Sequence, residues 1–587
     1  MVALSRFDDN PCHARHFKPP PCAPVIRGTA AEEALETGRT RVLVTAALFV
    51  LLFAVIAGRL FDVMILGGGI EAPRAGQRPI PLPSRAPIVD REGRLVATSL
   101  KGVALYADPR EIRHPADVAR ELARALPGAS PEHFAQELSQ SGTFVWLKRF
   151  LSPREEARVN DLGVPGLDFL PAERRFYPYG PLLAHAVGYV NIDDKGLAGV
   201  EGGLNRDLLG RRQPLQLSID VRLQYILHHE LRRVAQEFTA KAAAGLIMNV
   251  NTGEILALVS LPDFDPNHLD APDPDFPKAT LKDRLFDRAT LGSYEIGSIF
   301  KVFTMAMALD SGTVTMASRF DATNPIHIGG FTITDYHGKH RPLSVPEIFA
   351  YSSNIGAAKI ALACGARLQQ EYLRRFGLLT QPTLELPEVG SPHYPRDWRP
   401  INVMTIAFGN GISDTLLQLA RAASALVNGG ILRPATLLKV PPGYAPQGRR
   451  VISEETSLRI RKLLRLVVEY GTGQFAEAPG YVVGGKTGTA ERVERGAYAR
   501  HSLRSSFLGV FPMEDPQYLI LTMFDQPHGN KKSHGFATAG WVAAPATRRI
   551  VERIAPLLGV APVDEKSPAV AGALAIASLK GKGIAPY

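Results

Sequence analysis

Hydrophobic positions are spread unevenly along this chain of 587 residues, and their spacing changes from one stretch to the next. The longest uncharged apolar run is Val42 to Gly58, and Leu60, Phe61 and Val63 to Leu66 carry it past Arg59 and Asp62. Together they reach about the 20 residues that cross a bilayer core. Arg39 and Arg41 stand just before the run, with Arg27 and Lys18 further back. By the positive-inside rule this puts the N-terminus in the cytoplasm. Val55-Ile56-Ala57 could pass as a cleavage site, but the run exceeds the roughly 7–15 residues of a signal-peptide core. The expectation is an uncleaved anchor over 42–66, a cytoplasmic tail over 1–41, and everything later outside the cytoplasm.

Past the anchor, Pro73 to Pro87 reads as an extended Pro-rich linker. Ile88 to Val96 reads as a hairpin, with Gly93 able to take a positive φ in its turn. Turn and helix signals alternate from Pro109 to Leu126, and mixed segments continue to about Gly210. No nucleophile–base pair stands out among them, so 67–212 is expected to be a non-catalytic pedestal. Within Leu217 to Thr239, Leu223, Ile226, Leu227, Leu231 and Val234 have helical spacing. Ala244 to Leu261 holds two apolar runs around Asn251-Thr252-Gly253, a hairpin signal. Ser506 to Phe511 and Tyr518 to Asp525 are two further expected strands, and helical patterns fill the interval. Strand pairs at both ends of a long helical insert predict an α+β domain over 213–560. From about Pro562 the chain is rich in Ala, Lys, Gly and Pro, and 561–587 is expected to be a flexible tail.

Composition adds limits. The length asks for more than one domain, and 45% hydrophobic residues suffice for large cores. Cys12, Cys22 and Cys364 are the whole cysteine complement, which is no disulfide framework. The net charge of +10 comes without a nucleic-acid-binding motif or basic patch. A solvated Arg-rich surface accounts for it, and no nucleic-acid partner is expected.

Three short motifs carry candidate chemistry. Ser298-Ile299-Phe300-Lys301 opens a helix that continues as an apolar run, so Lys301 is the one charge inside a buried helix. Burial disfavours the ammonium. A neutral amine one turn from Ser298 is a general base beside a nucleophile. Ser352-Ser353-Asn354 falls between two helical segments, where a turn can aim Ser352 as a proton relay and Asn354 at a substrate amide. Lys486-Thr487-Gly488-Thr489 ends a strand signal, Tyr481 to Gly485. Lys486, Thr487 and Thr489 can hold a carboxylate, and Gly488 lets a peptide lie against the strand. The N–H groups of Ser298 and Thr489 can form an oxyanion hole. Each motif alone recurs by chance. All three in this order, in an exported domain, point to an acyl-serine transferase.

With these residues in place, the chain resembles the class B penicillin-binding proteins, the division type among them. Arg85 to Gly93, Arg175 to Pro178 and Gly199 to Glu201 look like the family's three pedestal boxes, and Tyr294 to Ser298 and Gly471-Thr472-Gly473 look like the division type. Ala86, Glu92 and Ile299 depart from the usual Gly, Asn and Thr. The resemblance implies a serine β-lactamase-like transpeptidase domain, an antiparallel sheet with helices on both faces and an all-helical insert. It implies that Ser298 attacks the D-Ala–D-Ala bond of a stem peptide, that a neighbouring stem amine takes the acyl group, and that β-lactams acylate Ser298. It implies no metal or organic cofactor. Implied partners are the membrane, an FtsW-like glycan polymerase and divisome proteins, at the bacterial inner membrane with the catalytic domain in the periplasm. Three other readings stand beside this one. A β-lactamase or carboxypeptidase would need a deacylating Glu, and no E-x-x-L-N box lies between Ser352 and Lys486. A membrane-bound β-lactam sensor would need a signalling domain that the short tail does not supply. An elongation-type enzyme differs only in where it works.

Overall fold

A computed structural model describes residues 43–57, 85–494 and 497–576. Residues 1–80 and 81–587 are separate compact units. In the first, residues 43–57 are helical. Among the described residues no helix is long and apolar enough to cross a membrane. Residues 42 and 58–66 of the expected anchor lie outside the described residues, as do the tail 1–41 and residues 67–84, which include all of the expected linker except Arg85 to Pro87.

The second unit holds two five-stranded sheets. The first is made of β1 (Ile88–Val89), β2 (Leu95–Ala107), β3 (Val145–Leu151), β4 (Leu167–Phe176) and β5 (Leu215–Gln216). β1 and β2 are the expected hairpin. Asp90 Oδ1 accepts from the N–H groups of Glu92 and Arg94 at 2.9 and 2.8 Å, and Gly93 turns the chain with φ 82°. The three segments likened to pedestal boxes meet at Glu201. Glu201 accepts from Nε of Arg85 through one oxygen and from Nε of Arg175 through the other, at 2.6 Å for Arg175. All three side chains are buried. Arg175 also donates to the carbonyl of Ala86 at 2.9 Å, and the Ala86 methyl sits in the core, so the departure from Gly is accommodated.

The second sheet has β6 (Ala242–Asn249), β7 (Ile255–Leu261), β8 (Gly484–Glu494), β9 (Ala497–Phe511) and β10 (Tyr518–Asp525), ordered β8-β9-β10-β6-β7 and antiparallel throughout. Its principal helices are α1 (Val221–Glu237), α2 (Lys301–Asp310), α3 (Val345–Ala350), α4 (Asn354–Arg375), α5 (Glu454–Tyr470), α6 (Ala543–Ile554) and α7 (Pro568–Leu574). Alternate β10 residues point to opposite faces. Leu519, Leu521 and Met523 lie in the core shared with the helix Leu416–Val427, while Ile520 and Phe524 pack with α1 and α6. A strand covered on both faces is therefore apolar along its centre except at Thr522, whose buried hydroxyl lies 3.3 Å from that of Thr547.

Two expectations need correction. The insert is not all-helical: Ile326–Ile328 pairs with Phe331–Ile333, and Arg319–Asp321 with Pro342–Ser344. Nor is 561–576 a free tail. Val563 N–H bonds the Gly480 carbonyl at 2.9 Å, Glu565 accepts from Gly480 N–H at 2.7 Å, and Ser567 caps α7, whose Leu574 is buried. An Ala-rich composition suits a docked helix as well as a disordered chain. Residues 577–587 lie outside the described residues.

Candidate active site

Ser298 lies in a single 3-10 turn, Gly297–Phe300, that runs directly into α2. The turn is pressed against β8. A Cβ on Gly488 would lie 2.5 Å from the Ile296 carbonyl, and one on Gly297 2.8 Å from that of Thr489. Glycine at both places brings Ser298 beside the Lys-Thr-Gly-Thr strand. That strand begins at Gly484, later than its expected start, because Tyr481 closes a turn with Ala478.

Lys301 is wholly buried, as are Val302, Phe303 and Met305 on the same helix. Its Nζ lies 3.0 Å from Ser298 Oγ, 2.5 Å from the Ser352 carbonyl, 3.1 Å from Ser352 Oγ and 2.8 Å from Asn354 Oδ1. The Ser352 carbonyl and Asn354 Oδ1 can only accept. They use the two N–H groups of a neutral amine and leave its lone pair for the Ser298 hydroxyl. Burial moves the Lys301 pKa from 10.5 down to about 7, against the opposing charge of Asp335. Lys486 is equally buried and donates to Ser352 Oγ at 2.9 Å. Its pKa falls far below the usual lysine range, through burial first and the nearby Lys301 second. Ser352 Oγ thus bridges the two lysines.

Ser352 takes the left-handed φ of 59°, which a serine adopts only when its neighbours are held. Asp335 holds them. Its Oδ2 accepts from Ser353 Oγ at 2.6 Å, and its Oδ1 from the N–H groups of Asn354 and Ile355 at 2.6 and 3.0 Å. The Thr334 carbonyl accepts from Asn354 Nδ2 at 3.0 Å. The short hairpin of the insert therefore sets the Ser-x-Asn turn. Thr487 Oγ1 lies 2.5 Å from Thr472 Oγ1, and Thr489 Oγ1 accepts from Ala539 N–H at 3.1 Å. The Thr489 hydroxyl hydrogen is left to donate.

All eight residues expected from the motifs, Ser298, Lys301, Ser352, Asn354, Lys486, Thr487, Gly488 and Thr489, lie on the turn, helix and strand just described. Asp335 and Thr472 escaped the sequence reading of roles. Asp335 stands 17 residues before Ser352 in a polar loop. Its one signal was an acidic residue upstream of a turn between two helices, which is common.

Residues 243–552 match the penicillin binding protein transpeptidase domain, and residues 81–222 the penicillin-binding protein dimerisation domain. The chain belongs to the penicillin-binding protein transpeptidase family. It is 42% identical over 490 residues to the probable peptidoglycan D,D-transpeptidase FtsI of Caulobacter vibrioides, spanning 81% of this chain and 82% of the relative. It is 29% identical over 512 residues to FtsI of Escherichia coli K12, spanning 81% and 84%. The transpeptidase domain of Burkholderia pseudomallei penicillin-binding protein 3 superimposes with a TM-score of 0.52 at 33% identity, covering 59% of this chain and 98% of that structure. Penicillin-binding protein 3 of Mycobacterium tuberculosis, solved with aztreonam, shares the fold with a TM-score of 0.64 at 23% identity, covering 82% and 98%. The chain is an FtsI-like peptidoglycan D,D-transpeptidase of the penicillin-binding class.

Proposed function

We propose that this transpeptidase works through an acyl-serine intermediate on Ser298, with Lys301 as the base of acylation. One observation carries the reading: the Lys301 amine has both N–H groups committed to fixed acceptors and its remaining position 3.0 Å from Ser298 Oγ. Ser298 Oγ attacks the carbonyl of the penultimate D-Ala, and its proton passes to Lys301. The N–H groups of Ser298 and Thr489 receive the oxyanion. The terminal D-Ala carboxylate meets Lys486, Thr487 and Thr489, and its charge restores the Lys486 ammonium that burial disfavours. Ser352, between the two lysines, returns a proton to the departing D-Ala nitrogen. A neighbouring stem amine then takes the acyl group and frees Ser298. A β-lactam follows the first half of this path and stops at the ester.

The placement belongs to the same reading. Residues 42–66 anchor the chain in the inner membrane with the N-terminus in the cytoplasm, and 67–212 form the pedestal on which an FtsW-like polymerase and divisome proteins dock. Septal work is supported by the likeness to FtsI of Caulobacter vibrioides. A fluorescent penicillin on the full-length protein should label one tryptic peptide, that of Ser298, and leave Ser298→Ala unlabelled. Label elsewhere would sink the assignment. Depletion in the native cell should give filaments; swollen, rounded cells would instead make it an elongation enzyme.

A further inference from the structure

A cavity of about 130 Å³ lies away from the three motifs. His185, Tyr189 and Gly199 line it from the segment matched as the dimerisation domain, and Phe264, Asp287 and Glu388 from the segment matched as the transpeptidase domain. It is a seam between the two parts of the second unit, with the half-exposed Leu197 at its rim.

Two buried polar atoms of residues that line it have no hydrogen-bond partner: His185 Nε2 and Asp287 Oδ2. Their residues are 8% and 1% exposed. An unmet buried acceptor is costly, so native proteins rarely leave one. Both are acceptors. The Pro262 carbonyl takes a hydrogen bond from the His185 ring, and a carbonyl cannot donate. Nδ1 therefore carries the proton, and burial keeps the ring neutral, so Nε2 presents a lone pair. Asp287 Oδ1 is engaged with the N–H groups of Ala289 and Thr290 at 2.8 and 3.2 Å, and Oδ2 accepts none. A third acceptor, the Glu388 carboxylate, is tied on one side to Gly199 N–H at 3.1 Å.

No nearby cation is hydrogen-bonded to this set. Arg288, whose charge lies near both Asp287 and His185, gives Nη1 to the carbonyls of Asp283 and Phe286 at 2.8 and 3.1 Å and bonds neither of those two side chains. Asp263, the other charge close to His185, is paired with His228 and Arg232. Among the described residues no group of three or more His, Cys, Asp or Glu side chains is placed to hold a metal ion. The aromatic walls, Phe264 edge-on to both His185 and Tyr189, suit an organic cation better than a hydrated metal.

We propose that this seam is a binding site for a small primary ammonium compound, whose three N–H donors meet His185 Nε2, Asp287 Oδ2 and Glu388. A primary ammonium carries three donors and no acceptor. The volume, equal to about four waters at roughly 30 Å³ each, admits a chain of a few carbons behind the nitrogen. A free amino acid fits worse, because its carboxylate would meet Asp287 and Glu388. The occupant touches both matched domains and braces them. The loop holding Asp287 continues through Ser293–Tyr294 to Ser298.

The test uses full-length protein in detergent, with n-propylammonium chloride as probe and 1-propanol and sodium chloride as controls at matched ionic strength. A saturable rise in melting temperature with propylammonium alone is expected. Asp287→Asn keeps the acceptor for Ala289 and Thr290 and should weaken the apparent affinity at least tenfold; Glu388→Gln should weaken it independently. Both variants should still take penicillin label at the wild-type rate, which shows them folded. An equal response to 1-propanol, no saturable response, an unchanged affinity in both variants, or a crystal grown with propylammonium whose cavity holds ordered water only would each overturn the proposal.

Discussion

Asp335→Asn is the substitution that most directly tests how the Ser-x-Asn turn is held. The carboxylate accepts three hydrogen bonds, one on Oδ2 from Ser353 Oγ and two on Oδ1 from Asn354 and Ile355 N–H. An amide offers one oxygen, so either the hydroxyl or the two N–H groups must face an NH₂. A hydrogen bond to a charged group contributes about 1.5–3 kcal/mol net. If the turn relaxes by that amount in the acylation transition state, the rate falls roughly 10- to 150-fold. The substitution also removes a negative charge that holds the Lys301 pKa up against burial. Lys301 acts as a base when neutral, so the rate rises as pH passes its pKa, near 7 in the native protein. Losing Asp335 lowers that pKa, and the acid limb of the profile moves to lower pH. The assay is the second-order rate of acylation by a chromogenic β-lactam from pH 5 to 9, with melting temperature recorded in parallel. A rate within twofold of the native protein and an acid limb that stays in place would refute the reasoning, and the left-handed Ser352 would then be held by α3 and α4 alone.

Lys301→Arg keeps a cation that cannot become neutral near pH 7, and acylation should fall by about 10²- to 10⁴-fold with the melting temperature nearly kept; normal acylation would show that another group takes the proton. Thr489→Val removes the hydroxyl expected to donate to the ligand carboxylate, costing about 1–3 kcal/mol in acylation efficiency. Thr489→Ser should restore most of the loss, and no difference between the two would turn that hydroxyl away from the ligand. Glu201→Gln leaves Arg85 and Arg175 buried without their shared carboxylate, so a destabilisation of about 3–5 kcal/mol is expected in denaturant titration, with β-lactam acylation of the folded fraction unchanged. A near-neutral effect would mean that the backbone carbonyls of Ala86 and Glu201 suffice for the two guanidinium groups.

Much of this protein was legible in its residue order because the deciding interactions are local. Helical spacing from Leu223 to Val234, the turn at Gly93, and the Asn251-Thr252-Gly253 hairpin depend on neighbours a few positions away. So does the pairing of Ser298 with Lys301, one turn apart on a single face. The apolar run after Ser298 also announced a buried lysine, since a charge among such residues has no other place to go. What joins distant segments was not legible. Asp335 holds the Ser-x-Asn turn from a loop whose composition marks it only as polar. Lys486 reaches Ser352 across 134 positions, and no local rule says that strand and turn meet. The docked segment 561–576 depends on Gly480 and Glu565 coming together, so composition alone suggested a free tail. The seam between the two matched domains exists only because chain segments around residues 185, 287 and 388 close on one another. Local propensity selects the elements; burial of apolar surface decides which of them touch, and so which buried acceptors, charges and hydroxyls end up within a hydrogen bond's reach.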